Sequence, residues 1–133
     1  TALQIYITNA YSTTGSGYVR CYINGDSTSA NYQSTYTRYR GGATTQSDDV
    51  FSFTGWPFYN ATNNLMVSVT LPNYTSAFRK TWLSFGFGIT DNNAYGGFYG
   101  NGGYSSNTAI TSLQFINNAG SWSAGTVLLY GVK

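Results

Sequence analysis

An all-β, antiparallel fold, a sandwich or a barrel, is what this sequence predicts, and three features predict it. Apolar residues recur at every second position in several short runs, which is the period of a half-buried strand. The runs are separated by Gly, Asn, Asp and Pro, the residues that accept positive φ or preset a turn. The composition is β-prone: 18% of the 133 residues are aromatic, 8% are charged, 16 are Gly, and Glu does not occur.

Taken in chain order, Leu3, Ile5 and Ile7 give the first strand face, and Val19, Cys21 and Ile23 the second. The lone Cys21 falls in phase with its apolar neighbours and reads as a small core hydrophobe; with no second cysteine there is no internal disulfide. Asn24-Gly25-Asp26 then forms a turn, and Tyr32, Tyr36 and Tyr39 suit cross-strand pairs on a sheet face. Gly41-Gly42 marks another turn, and Asp48 and Asp49 read as a solvated loop. Val50, Phe51 and Phe53 make a shorter apolar run, followed by Leu65, Val67, Val69 and Leu71. In "SAFRKTWLSF" Phe78, Trp82 and Phe85 also fit a helical stripe, but Leu83, Phe85, Phe87 and Ile89 continue at period two and favour a strand. The stretch "DNNAYGGFYGNGGYSSN" carries more aromatic area than a linker needs and reads as a loop that is ordered, or becomes ordered on a partner. Leu113 and Phe115 open the last strand-turn-strand unit. Val127 to Val132 carry apolar residues almost to the end of the sequence, so that end should be pinned into a sheet. The predicted core includes Ile5, Val19, Cys21, Leu65, Val67, Phe85, Phe115 and Leu129. A chain of this length fits one domain, residues 1–133, with a single core.

The composition also bounds the chemistry. With no His, no Glu and only Asp26, Asp48, Asp49 and Asp91 as side-chain acids, the means for general acid-base catalysis are thin, so no enzyme activity and no catalytic residue is expected. The adjacent Asp48 and Asp49 would point to opposite faces of a strand, which does not suit a glycosidase pair. One Cys and no His cannot build a zinc site, and Asp26 in "NGDSTSAN" lacks the spacing of a calcium loop; no metal and no cofactor is expected. A net charge of +2 spread along the chain is too weak a footprint for nucleic acid. No apolar run has the roughly 20 residues of a membrane helix, so insertion in a membrane is not expected. What remains is a surface vocabulary of Tyr, Ser, Asn and Gly, which suits binding or assembly.

Three segments, "GYVRCYINGDSTSANYQSTY", "LPNYTSAFRKTWLSFGFG" and "NTAITSLQFINNAGSWSAGTVLLYGVK", resemble in this order a family of tailed-phage virion proteins found in tail fibres, neck or collar appendages and head decorations. The resemblance spans essentially the whole chain and is most specific in its ordering and in the terminal "LYGVK". It implies a jelly-roll-like β-sandwich, a homotrimer, and a position on the virion surface among other virion proteins. Family members usually have one more strand before the segment matching "LQIYIT", so the resemblance also admits a chain that is the C-terminal part of a longer protein.

Two roles follow from that resemblance. In the first, a tail-fibre or appendage domain contributes to recognition of a host-surface glycan, through exposed rings on loops at one end of the sandwich. The candidates are Trp56, Phe58 and Tyr59 in "GWPFYN", with Tyr95, Phe98, Tyr99 and Tyr104 in the Gly-rich stretch. In the second, a purely architectural head-decoration or collar protein buries those rings against neighbouring chains.

Overall fold

The computed structural model describes residues 1–13, 19–40, 42–49, 65–89, 95–117 and 120–133. Nine strands lie among them: β1 (Ala2–Ser12), β2 (Val19–Ile23), β3 (Tyr32–Arg40), β4 (Ala43–Asp49), β5 (Met66–Pro72), β6 (Lys80–Ile89), β7 (Tyr95–Tyr104), β8 (Leu113–Asn117) and β9 (Trp122–Val132). A single 3₁₀ turn, Ser29–Asn31, precedes β3, and no α-helix occurs among the described residues. Seven strands form one sheet in the order β4-β3-β7-β6-β5-β1-β9, and β2 pairs with β8 in a second. Every pair is antiparallel. The fold is all-β and antiparallel, consistent with a β-sandwich.

The core lies on one face of the large sheet, beneath the small one. Ile5 and Ile7 of β1, Val67, Val69 and Leu71 of β5, and Val19, Cys21 and Ile23 of β2 are all buried in one cluster, with Phe115 of β8 packed against it. Burial pushes the Cys21 thiol up to about 12, so it stays protonated among hydrocarbon neighbours. Leu65 joins the same cluster.

Toward β6, β7 and β3 the inner face is built from rings set against glycines. Trp82 of β6 lies over Gly102 of β7, its register partner, so closely that a Cβ on Gly102 would overlap the indole. Four residue pairs along the arrangement is reversed: a Cβ on Gly86 would come within 2.6 Å of the Phe98 ring. Between them Gly100 faces Ser84, and a Cβ there would stand 3.1 Å from the Ser84 hydroxyl. Large and small side chains thus alternate across one ladder, which fixes its register, because a slip of one residue would turn every one of these groups to the other face.

Three expectations are corrected here. Phe85 is not core: β6 turns Lys80, Trp82, Ser84 and Gly86 inward, and the more apolar set, Leu83, Phe85 and Phe87, outward. Leu129 is not core either, since β9 lies at the margin of the large sheet and its residue is 52% exposed. Asp48 and Asp49 lie in the backbone of β4, opposite Thr35 and Ser34, and not in a loop. The run at Val50, Phe51 and Phe53 lies outside the described residues.

The chain end is tied down through backbone pairing. Residues from Trp122 to Val132 run antiparallel to β1, and Ala2 faces Val132 across the last rung, so residues 2 and 132 leave the sheet side by side. Gly125 meets the backbone of Ala10 so closely that a Cβ would stand 3.1 Å from its Cα. The margins of the large sheet differ in kind. The edge β4, "ATTQSDD", is short and polar, whereas β9, "WSAGTVLLYGV", is long and uncharged.

Candidate functional site

The outer face of the large sheet is the surface that departs most from what a solvated sheet requires. Antiparallel sheets with one wet face alternate apolar inward and polar outward. On β6 the outward residues Leu83, Phe85 and Phe87 are 55%, 56% and 56% exposed. Register places Tyr99 of β7 directly opposite Phe85, and Met66 of β5 opposite Phe87. Tyr6 of β1 and Leu128 of β9 extend the same face, and the Tyr6 and Tyr130 rings meet edge to face at 6.0 Å. None of the strand positions on this face from β1, β3, β5, β6, β7 and β9 carries a charge.

Two concavities interrupt the face. At one end Tyr39, Phe87 and Tyr95 surround the glycine pair Gly96 and Gly97 in an open cleft of about 350 Å³. At the other end a groove of about 790 Å³ runs past Gln33, Thr35, Arg79, Thr81, Asn101 and Ser105. The first is a ring-walled trough, and the second presents amide, hydroxyl and guanidinium groups.

The sequence-predicted binding residues divide accordingly. Tyr95 and Tyr99 are on the outer face, and Tyr95 is 84% exposed. Phe98 and Tyr104 are buried and are corrected here: the Gly-rich stretch from Tyr95 to Tyr104 is strand β7, and its even-numbered positions face the core. The Tyr104 ring stacks at 4.7 Å on that of Tyr32, and its hydroxyl donates to the Asp26 carboxylate at 3.0 Å. Trp56, Phe58 and Tyr59 lie outside the described residues. The structure adds Tyr39, Leu83, Phe85, Phe87, Leu128 and Tyr130, whose apolar pattern is visible in the sequence but carries no mark of which face it lines.

Asp26 has a structural task. Its carboxylate accepts from the Thr28 N–H at 2.8 Å, from the Asn31 side-chain amide at 2.7 Å and from Tyr104. These donors hold its pKa down to about 2, led by the Thr28 backbone and the Asn31 amide, so it stays ionised and is not poised to exchange protons near neutrality. The Tyr32 hydroxyl, which accepts from the Ile23 N–H at 2.9 Å and donates to the Asp26 carbonyl at 2.8 Å, joins this turn to the end of β2. Among the described residues no group of three or more His, Cys, Asp or Glu side chains could hold a metal ion, and no helix is long and apolar enough to cross a membrane.

Fold and surface together define an all-β antiparallel protein with an aromatic sheet face that is uncharged at its centre. No protein family, curated protein or solved structure matches the chain.

Proposed function

We propose that this chain is a structural protein exposed on a bacteriophage virion, a jelly-roll-like domain of a tail fibre, appendage, collar or head decoration, working as a homotrimer. The ordered resemblance of its segments to such proteins supports the setting. The observation that carries the role is the placement of the exposed rings. Among the described residues, Tyr39, Phe85, Phe87, Tyr95, Tyr99 and Tyr130 stand on hydrogen-bonded strands of the large sheet, while Phe78 is exposed in the turn before β6. A sheet face that is aromatic and uncharged at its centre suits burial against neighbouring chains, which favours an architectural role. The test is microscopy of virions of the encoding phage, labelled with antibody to this chain. Regular labelling of tail, collar or head is the expected result, and unlabelled particles with the protein found only in infected-cell extract would overturn it.

A second reading, host-surface glycan recognition, is favoured by the groove at Gln33, Asn101 and Arg79, whose polar side chains could meet sugar hydroxyls, with the ring-walled cleft on the same face. Cell binding that is lost in Gln33→Ala with Asn101→Ala, while particles remain intact, would favour recognition over architecture.

A further inference from the structure

We infer that the outer face of the seven-stranded sheet is the interface between copies of this same chain, with the symmetry axis running close to β6. This deepens the reading of the face as an assembly surface but does not depend on where the protein resides.

Area is the first argument. The rings of Tyr39, Phe85, Phe87, Tyr95, Tyr99 and Tyr130 are each between 52% and 84% exposed. At roughly 150–250 Å² for a whole aromatic side chain, they and the two exposed leucines of the face present on the order of 800 Å², the larger share on β6, β7 and β3 and the rest on β9 beyond the hydrogen-bonded Gln4, Ser68 and Thr70. Monomeric proteins rarely show an apolar patch above about 300–600 Å², whereas each partner in a stable complex buries about 800 Å².

Position is the second. β6 is the middle strand of the seven, and its Leu83, Phe85 and Phe87 form the crest of the patch. The remaining rings flank it on β7 and β3 on one side and on β9 on the other, spanning about 24 Å at the usual strand spacing. A patch centred on the sheet suits faces turned toward a common axis better than a contact at one margin. Charge is the third argument. A partner of opposite charge would need a charged counterpart at the centre of the face, and the positions on it from β1, β3, β5, β6, β7 and β9 offer none. Among the described residues charge enters only at the margin, where Asp48 of β4 stands opposite Thr35 and Arg79 borders the groove, so the centres of two copies meet with no like charges opposed. The strand β6 itself carries the fourth, because it turns its more apolar set away from the core and leaves that area for a partner to cover.

The test uses light scattering and sedimentation of the purified chain across micromolar concentrations. The wild type should be a closed oligomer, and Phe85→Glu should weaken association by about 100-fold or more, a charge having been placed in a desolvated contact. Far-UV circular dichroism should be unchanged, since Phe85 is not part of the core. Proximity is tested separately by mild oxidation of Phe85→Cys, with Thr44→Cys on β4 as the comparison; the native Cys21 is buried and gives little background. Cross-linked dimers at position 85 and not at 44 are the expected result. A wild type that stays monomeric, an oligomer that survives Phe85→Glu, or an oligomer that cross-links at 44 and not at 85 would each overturn the inference.

Discussion

Gly102→Ala is the substitution that most directly probes how the large sheet is held together. The Cβ it adds would overlap Cζ2 and Cε2 of Trp82 and lie 2.8 Å from the Gln33 carbonyl oxygen. Trp82 is 2% exposed and cannot swing into solvent, and the Gln33 carbonyl belongs to the backbone of the paired strand β3, so neither neighbour yields cheaply. Overpacking of a tight core costs about 1–3 kcal/mol, and a clash against both a fixed ring and a backbone atom belongs at the upper end, about 3 kcal/mol. For a chain of this size that lowers the melting temperature by about 10 °C. Calorimetry or circular dichroism melts at one fixed protein concentration measure it, since any self-association makes the midpoint concentration-dependent. Combining Gly102→Ala with Trp82→Phe supplies the control: a smaller ring makes room for the methyl group, so the double variant should be more stable than the sum of the single effects predicts, by about 1 kcal/mol or more. If Gly102→Ala melts within a degree or two of the wild type, ring-on-glycine packing does not hold this ladder in register.

Three further outcomes are expected. Asp26 has a folded-state pKa of about 2 against an ordinary 3.8, so the stability it contributes is present above that ordinary value and is lost as pH falls from 3.8 through about 2; urea midpoints of the wild type should therefore drop more steeply over this window than those of Asp26→Asn. Lys80 is 1% exposed and donates from Nζ to the Ser76 carbonyl at 2.7 Å and to the Phe78 carbonyl; Lys80→Met leaves both oxygens without that donor and should cost about 1–3 kcal/mol by chemical denaturation. The Cys21 thiol, buried and held protonated, should resist a thiol-specific chromogenic reagent at neutral pH in the folded protein and react fully in denaturant.

Much of this architecture is legible in the sequence because alternation is a local property. The strands at Leu3 to Ile7, Val19 to Ile23, Leu65 to Leu71 and Leu113 to Phe115 are all present, and "KTWLSFGFGI" is a strand despite its helical stripe. Alternation gives the period of a strand but not which of its faces is buried. On β6 that choice is settled by glycines about twenty residues further along the chain, which admit Trp82 inward and leave Phe85 outside. The same glycines explain why β7 reads as a loop: Gly disfavours strands by itself, yet here it supplies the space that rings on neighbouring strands occupy. Strand β4 escapes notice because "ATTQSDD" has no apolar alternation at all. Leu129 reads as core because its run is apolar, while its exposure depends on how far the two-stranded sheet reaches, which no local pattern encodes. For the candidate site, Tyr95 and Tyr99 are recoverable as exposed rings, but the face they belong to is assembled from strands distant in sequence.

The neighbouring positions of Ala2 and Val132 also determine how the domain would respond to force. A pull applied between the two chain ends acts on the β1–β9 ladder at its outermost rung and opens it pair by pair, so that only about 0.5–1.5 kcal/mol of net hydrogen bonding resists at any moment. A pull between Ala2 and a point on β3 would instead have to part several ladders of the sheet. Loaded through its ends, the domain would yield at its terminal strand first, leaving the block of β6, β7 and β3 closed, and could shed strain and re-pair when the load is released.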